Sequence, residues 1–204
     1  RISSPFALLG GAPHRISRID IAGAVLPASR LVAMPLFRGE RIIDDGAIEI
    51  SRIHVEQAQV LLGEQLSLSG IYGNVDLRPD GKLEKAVFET ADRSLLVDAM
   101  PGKSGIALNF EGRAWKPAGS SLLFASLQAK GMLQSDKLLV ENIDTTFLGG
   151  ILRGSWQLDW SNGLSMAGDG TLTRLDSRKV SEEFAPSLKI EGDMTGSVRL
   201  RSAG

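Results

Sequence analysis

The chain has 204 residues, 43% of them apolar and 23% charged, with 23 Gly, 8 Pro and no Cys. This balance describes a globular chain long enough to build its core without metal or disulfide staples, and the absence of Cys excludes thiol catalysis, iron–sulfur clusters and thiolate zinc sites. Lys and Arg total 23 against 24 Asp and Glu, a net charge of −1, which argues against nucleic-acid binding through phosphate neutralisation.

Near the start, the uncharged stretch Ser3 to Pro13 is broken by Pro5, Gly10 and Gly11 and is too short to cross about 30 Å of hydrocarbon. The chain opens at Arg1 rather than Met, so it reads as an excised piece whose membrane anchor or export signal lies upstream. Alternating segments begin at Ile16 to Val25 and continue at Ala47 to Val55. Between them, Leu26 to Pro35 is a short helix or an irregular crossing, and Asp44-Asp45-Gly46 is a turn. Six more strands are expected over Leu66–Leu77, Lys82–Thr90, Ser94–Met100, Ile106–Trp115, Leu122–Leu133 and Lys137–Phe147. Pro79-Asp80-Gly81 and Pro101-Gly102-Lys103-Ser104-Gly105 carry turn chemistry between them.

The last third is the most regular. Gly149-Gly150 suits a turn or bulge in a curved sheet. Leu152, Trp156, Leu158 and Trp160 alternate with Arg153, Ser155, Gln157 and Asp159, and Leu164, Met166 and Leu172 with Ser165, Asp169 and Thr173. Asn162-Gly163 between them supplies the positive φ angles of a tight turn, so Ile151–Thr173 reads as a β-hairpin. Ser177–Ala185 is the helix candidate, with Ser177 as its cap, Val180 and Phe184 four apart to lie on the sheet, and Pro186 as its stop. Leu188, Ile190, Gly192, Met194, Gly196, Val198 and Leu200 then alternate with polar neighbours, one strand from Leu188 to Arg201. Joined in sequence, these segments make a mainly β fold: a curved, twisted antiparallel meander, either an open trough or a partly closed sandwich, with one or two short helices. Residues 1–204 form a single domain.

Catalytic and metal readings find little support. His14 and His54 are the only histidines, so a three-His metal centre is impossible, and neither stands at a triad or nucleophile-elbow spacing. Asp44-Asp45, Glu182-Glu183 and Asp159 with Asp169 are carboxylate pairs, but neighbours on a strand point to opposite faces. Gly10-Gly11 and Gly149-Gly150 lack the continuation of a phosphate loop. No enzyme activity, metal or cofactor is expected. Trp115, Trp156 and Trp160 suit either core packing or a carbohydrate platform, and Trp115 could lid the sheet margin. Gly168, Gly170, Gly192 and Gly196 in apolar rows leave room on that face for another backbone, a large side chain or an acyl chain.

The order Phe147-Leu148-Gly149-Gly150, alternating strand, hairpin, short helix and a closing strand with Gly192 and Gly196 is similar to the recurring unit of the AsmA-like family of Gram-negative envelope proteins. Asp80-Gly81-Lys82-Leu83 and Arg113-Ala114-Trp115-Lys116-Pro117 also resemble its middle region. The resemblance runs from about Ile48 to Gly204. It implies a periplasmic body of curved β-sheet with an apolar groove, tethered to the inner membrane by an upstream helix, and a part in moving phospholipid and maintaining the outer membrane. Within that reading, Leu152, Trp156, Leu158, Trp160, Leu188, Ile190, Met194, Val198 and Leu200 line a groove for phospholipid acyl chains. The alternative is a scaffold that adds strands to an envelope protein partner during outer-membrane assembly.

Overall fold

The computed structural model describes residues 14–42, 48–64, 66–117 and 121–203. Gly10-Gly11 and Asp44-Asp45 therefore lie outside the described residues. Three short strands come first, β1 (His14–Ile16), β2 (Ile19–Ala22) and β3 (Val25–Pro27), followed by a short helix α1 (Ala28–Val32) and a 3-10 turn over Pro35–Arg38. After β4 (Ile48–Ile50) come β5 (Arg52–Leu62), β6 (Leu66–Leu77), β7 (Leu83–Thr90), β8 (Leu95–Pro101) and β9 (Ile106–Trp115). The run ends with β10 (Phe124–Leu133), β11 (Lys137–Phe147), β12 (Gly150–Asp159), β13 (Ser165–Asp176), helix α2 (Ser177–Phe184) and β14 (Asp193–Ala203).

From β5 to β14 every strand pairs antiparallel with its sequence neighbour, and the sheet is not closed into a barrel. The expected meander is thus observed. Its beginning departs from expectation: Ile16–Val25 is not one strand, because β2 and β3 both pair parallel with β5, and β1 pairs parallel with β4 in a separate ladder. The chain reaches a parallel partner only through the long excursion that holds α1 and the 3-10 turn, as a crossover requires.

Cross-strand register shows why several strands look irregular in sequence. On β5, Ile53 and Val55 share a face with Ala58, Val60 and Leu62, although their numbers differ in parity; Gln57, at φ 52°, is the extra residue between them. Asn142 (φ 52°) does the same on β11 between Val140 and Ile143, and Arg174 (φ 51°) on β13 between Leu172 and Leu175. On β6 the shift falls at Gly70 (φ 69°). Each is a β-bulge that inserts one residue in a left-handed conformation, bends its strand and sharpens its twist. The bulges restore the apolar residues to one face each time the strand would carry them off it.

The result is a single apolar face across the sheet. Val75, Ala86, Ala99, Leu108, Gly131, Val140, Trp156, Gly168 and Leu200 follow one another strand by strand from β6 to β14. The opposite face carries cross-strand charge pairs: Arg52 with Asp76, Arg153 with Asp144 at 2.8 Å, and Arg199 with Asp169 at 2.7 Å. Solvent-exposed pairs of this kind fix register more than they stabilise.

Turn chemistry accounts for the connections. Asp80 accepts the Lys82 amide while Gly81 sits at φ 75°. Leu148 and Gly149 both have positive φ, so Phe147 to Gly150 is the two-residue hairpin that matches strand twist. The β12–β13 hairpin exists but differs from expectation. Pairing stops at Asp159 with Ser165, and Gly163 reaches φ 101° while Asn162 keeps a negative φ. Asp159 instead holds the loop by accepting the Ser161 amide and hydroxyl, and both bonds keep its carboxyl below the usual range.

Helix α2 is capped by Asp176, whose carboxylate accepts the amides of Arg178 and Lys179, not by Ser177. A carboxylate one residue earlier offers a stronger acceptor at the positive helix end. Its covered side carries Ser177 and Ser181, whereas Phe184 is 63% exposed. The expected apolar contact through Phe184 is therefore not made.

Candidate functional site

The inner face has a filled end and, on β14, an exposed apolar row. Adjacent strands rotate by about 20–25°, so the seven steps from β5 to β12 accumulate nearly half a turn and bring the β5–β6 turn back over the far strands. The contact is direct: a Cβ placed on Gly63 would stand 3.0 Å from the Cβ of Trp160. Beneath this closure, Leu62, Ile106, Leu133 and Leu158 form one buried cluster with Val75, Leu77, Ala86 and Ala99. Ala28 of α1 and Leu36 and Phe37 of the 3-10 turn belong to the same cluster, with Trp156, Trp160, Leu138 and Met166 packed against it. The protein's own side chains plug this end.

Toward the other ends of β9 to β13, α2 reaches back from the end of β13 to the start of β10, where Glu183 accepts the Ser121 hydroxyl, and on the inner face Thr145 and Leu175 are 1 and 2% exposed. Trp115, Phe124 and Phe147 stand on three successive strands, with ring centroids 5.6 and 5.2 Å apart in a stacked ladder. All three are half-buried. Trp115 enters this row because Ala114, at φ 49°, turns it toward Gly112, whose Cβ position lies 3.4 Å from the Cβ of Trp115. At the free edge, Met194, Val198 and Leu200 are 43, 40 and 49% exposed, a continuous apolar row with no strand beyond it among the described residues.

The glycines of this face distinguish the filled part from the exposed row. The space beside Gly168 is taken by the Trp156 ring at 3.2 Å, and that beside Gly170 by a Leu152 methyl at 2.9 Å. Gly196 has nothing within 4 Å of its Cβ position. Gly192 is also open, but it sits at φ 117° in the loop before β14 and is not part of the row.

Of the residues expected to line a groove, Leu152, Trp156 and Leu158 share the inner face of β12, and Met194, Val198 and Leu200 share that of β14. Leu158 belongs to the plug. Trp160 lies past the end of β12, half-buried against the core, where its indole N–H donates to the Ser135 carbonyl at 3.1 Å. Leu188 and Ile190 are not on a strand, which corrects the expected run from Leu188: β14 starts only at Asp193. The reason is topological. Strand β13 ends at Asp176, where α2 begins, and Asp193 is its last ladder partner; beyond it the Gly192 carbonyl accepts the Ser177 amide of α2 at 2.9 Å, and among the described residues no strand runs beside residues 188–191. The aromatic ladder through Phe124 and Phe147 was missed as lining; its signal was an aromatic residue at the same end of three neighbouring strands, visible only once register is known.

The outer face offers little chemistry. A depression of about 740 Å³ opens there, lined by charged and polar Arg52, Asp76, Lys85, Asp98 and Asn109 together with apolar Leu77, Ala86, Ala99 and Met100. His54 lies between Asn74 at 2.9 Å and Glu56 at 3.0 Å, with no nucleophile beside it among its described partners. Asp169 is committed to Arg199, whose pKa it raises, and Asp159 to its own turn. No cluster of three metal-ligating side chains occurs among the described residues.

No family model, curated protein or solved structure matches this chain.

Proposed function

We propose that this chain is a non-enzymatic lipid-holding segment of an AsmA-like envelope protein, taking phospholipid acyl chains along the exposed apolar row of β14. The observation that carries this reading is the exposed apolar row Met194, Val198 and Leu200 beside the empty Gly196. Each methylene withdrawn from water contributes about 0.8 kcal/mol. A dozen of them give roughly 10 kcal/mol of gross transfer free energy, enough to hold a chain after ordering costs without any polar recognition. Headgroups stay in solvent at the rim, and the plugged end gives the acyl chain a stop. In this reading the segment stands in the periplasm, tethered to the inner membrane, and passes lipid without chemical change.

Native mass spectrometry of protein purified from a Gram-negative host tests this. The expected result is copurified phospholipid that is lost in Met194→Glu, with the unfolding transition unchanged. Lipid-free protein, or lipid retained in that variant, contradicts it. The scaffold alternative draws on a separate observation, that β14 has no second strand neighbour among the described residues.

A further inference from the structure

We propose that the depression on the outer face binds a small zwitterion, a primary ammonium a few bonds away from a phosphate or carboxylate. Register places the recognising groups side by side. Asp98 on β8 stands between Val87 on β7 and Asn109 on β9, and Lys85 lies two residues before Val87 on the same face. Lys85 and Asp98 are thus diagonal neighbours, with Cβ atoms about 7–8 Å apart and their charged ends within reach of one ligand. Elsewhere on this face opposite charges meet across strands, as in Arg52 with Asp76, Arg153 with Asp144 and Arg199 with Asp169. Here they do not. The side chains of Lys85, Asp98 and Asn109 line the one depression, yet none makes a hydrogen bond or ion pair among the described residues.

The neighbouring strands explain why. Asp76, the carboxylate opposite Lys85, is taken by Arg52, and Val87 offers Asp98 no donor. One oxygen of Asp98, Oδ1, is shut off from solvent and finds no donor in the fold. A shielded carboxylate oxygen without a hydrogen bond is costly, so a donor brought in from outside is favoured there. Met100, which lines the depression and is 48% exposed, has an unbranched, flexible side chain that can shift to admit it. Charge then sets the ligand. Lys85 calls for an anion, and an ammonium can donate to both the Asp98 carboxylate and the Asn109 amide oxygen. An anion alone leaves Asp98 without a donor, and a cation alone meets Lys85 as a like charge. A free aminoalkyl phosphate and the headgroup of a phosphatidylethanolamine surface share this chemistry. The depression lies on the face opposite the β14 row, so the proposal stands whether or not that row holds acyl chains.

Amide NMR of the isotope-labelled chain titrated with O-phosphoethanolamine tests it, with saturable shifts expected at Lys85, Asp98 and Asn109. Ethanolamine alone, inorganic phosphate alone, and phosphocholine, whose trimethylated nitrogen donates no hydrogen bond, are each expected to bind at least tenfold more weakly. Asp98→Asn and Lys85→Met are each expected to lower affinity at least tenfold. The urea midpoint of Asp98→Asn is expected to hold or rise, because an acceptor without a donor supports no structure. Cosedimentation with vesicles of phosphatidylethanolamine and not of phosphatidylcholine supports the site with a headgroup as its ligand; binding of the soluble probe alone supports it with a free zwitterion. No saturable shift at millimolar probe, together with no vesicle binding, overturns the proposal. Equal binding of phosphocholine, variants that bind as the unmodified chain does, or a lowered midpoint for Asp98→Asn overturn it too.

Discussion

The contrast between the plugged end of the apolar face and its exposed row on β14 makes identical substitutions unequal. Leu158 and Leu200 both point to the inner face, but Leu158 is 5% exposed and Leu200 is 49% exposed. Leu→Ala removes three carbons, about 0.8 kcal/mol each when fully buried. At Leu158 the neighbours Leu138 and Met166 on adjoining strands are held by backbone ladders and collapse only partly, so a cavity adds to the loss, for a total of about 3 kcal/mol. For a chain of this size that lowers the thermal midpoint by roughly 6–12 °C. At Leu200 half of the side chain is already in water and no enclosed cavity forms, so the loss is about 1 kcal/mol, or less than about 4 °C. Urea unfolding followed by tryptophan emission measures both, since Trp156 and Trp160 adjoin the core. Equal losses at the two positions would show that the β14 row is packed like the plugged end, and the reasoning would fail.

The glycines give a second contrast. Gly154→Ala places a Cβ 2.1 Å from the Asp169 carbonyl oxygen, a backbone atom that cannot yield, so about 1–3 kcal/mol is lost on thermal or urea unfolding; Gly196→Ala meets nothing within 4 Å and stays within about 0.5 kcal/mol. A third prediction concerns pH. Asp92 accepts the Thr90 hydroxyl and the Ser94 amide and hydroxyl, which lower its pKa to about 2. Its contribution to the β7–β8 turn is therefore complete above its unfolded pKa of 3.8 and is lost as pH falls toward 2. A carboxyl-carbon NMR titration is expected to give a midpoint near 2, and a midpoint near 4 would contradict the turn's hydrogen bonding.

Much of the sheet is legible in sequence where alternation runs unbroken. Leu66–Leu77, Ile106–Trp115 and Lys137–Phe147 are found at the same boundaries as β6, β9 and β11. Strand β5 was not: its reading stopped at Val55 because Glu56-Gln57 interrupts the alternation, whereas in the fold Gln57 is a bulge and Ala58, Val60 and Leu62 resume the same face. A left-handed Gln or Arg carries no sequence mark, unlike a glycine. Leu188 and Ile190 show the opposite failure, since good alternation without a neighbouring strand makes no ladder. The candidate lining on β12 and β14 was readable from parity. The plugged end was not, because it depends on twist accumulated over seven strand-to-strand steps and on the burial of Phe37 from a segment with no clear periodicity.

The central claim is that the uncovered part of the inner face of β14 contacts acyl chains while its outer face does not. A photo-crosslinking side chain placed in turn at Val198 and at Ser197, in cells supplied with a clickable phospholipid, tests that parity directly. The account predicts a lipid adduct at Val198 and none above background at Ser197. Equal labelling at both positions, or labelling at Ser197 alone, would contradict it.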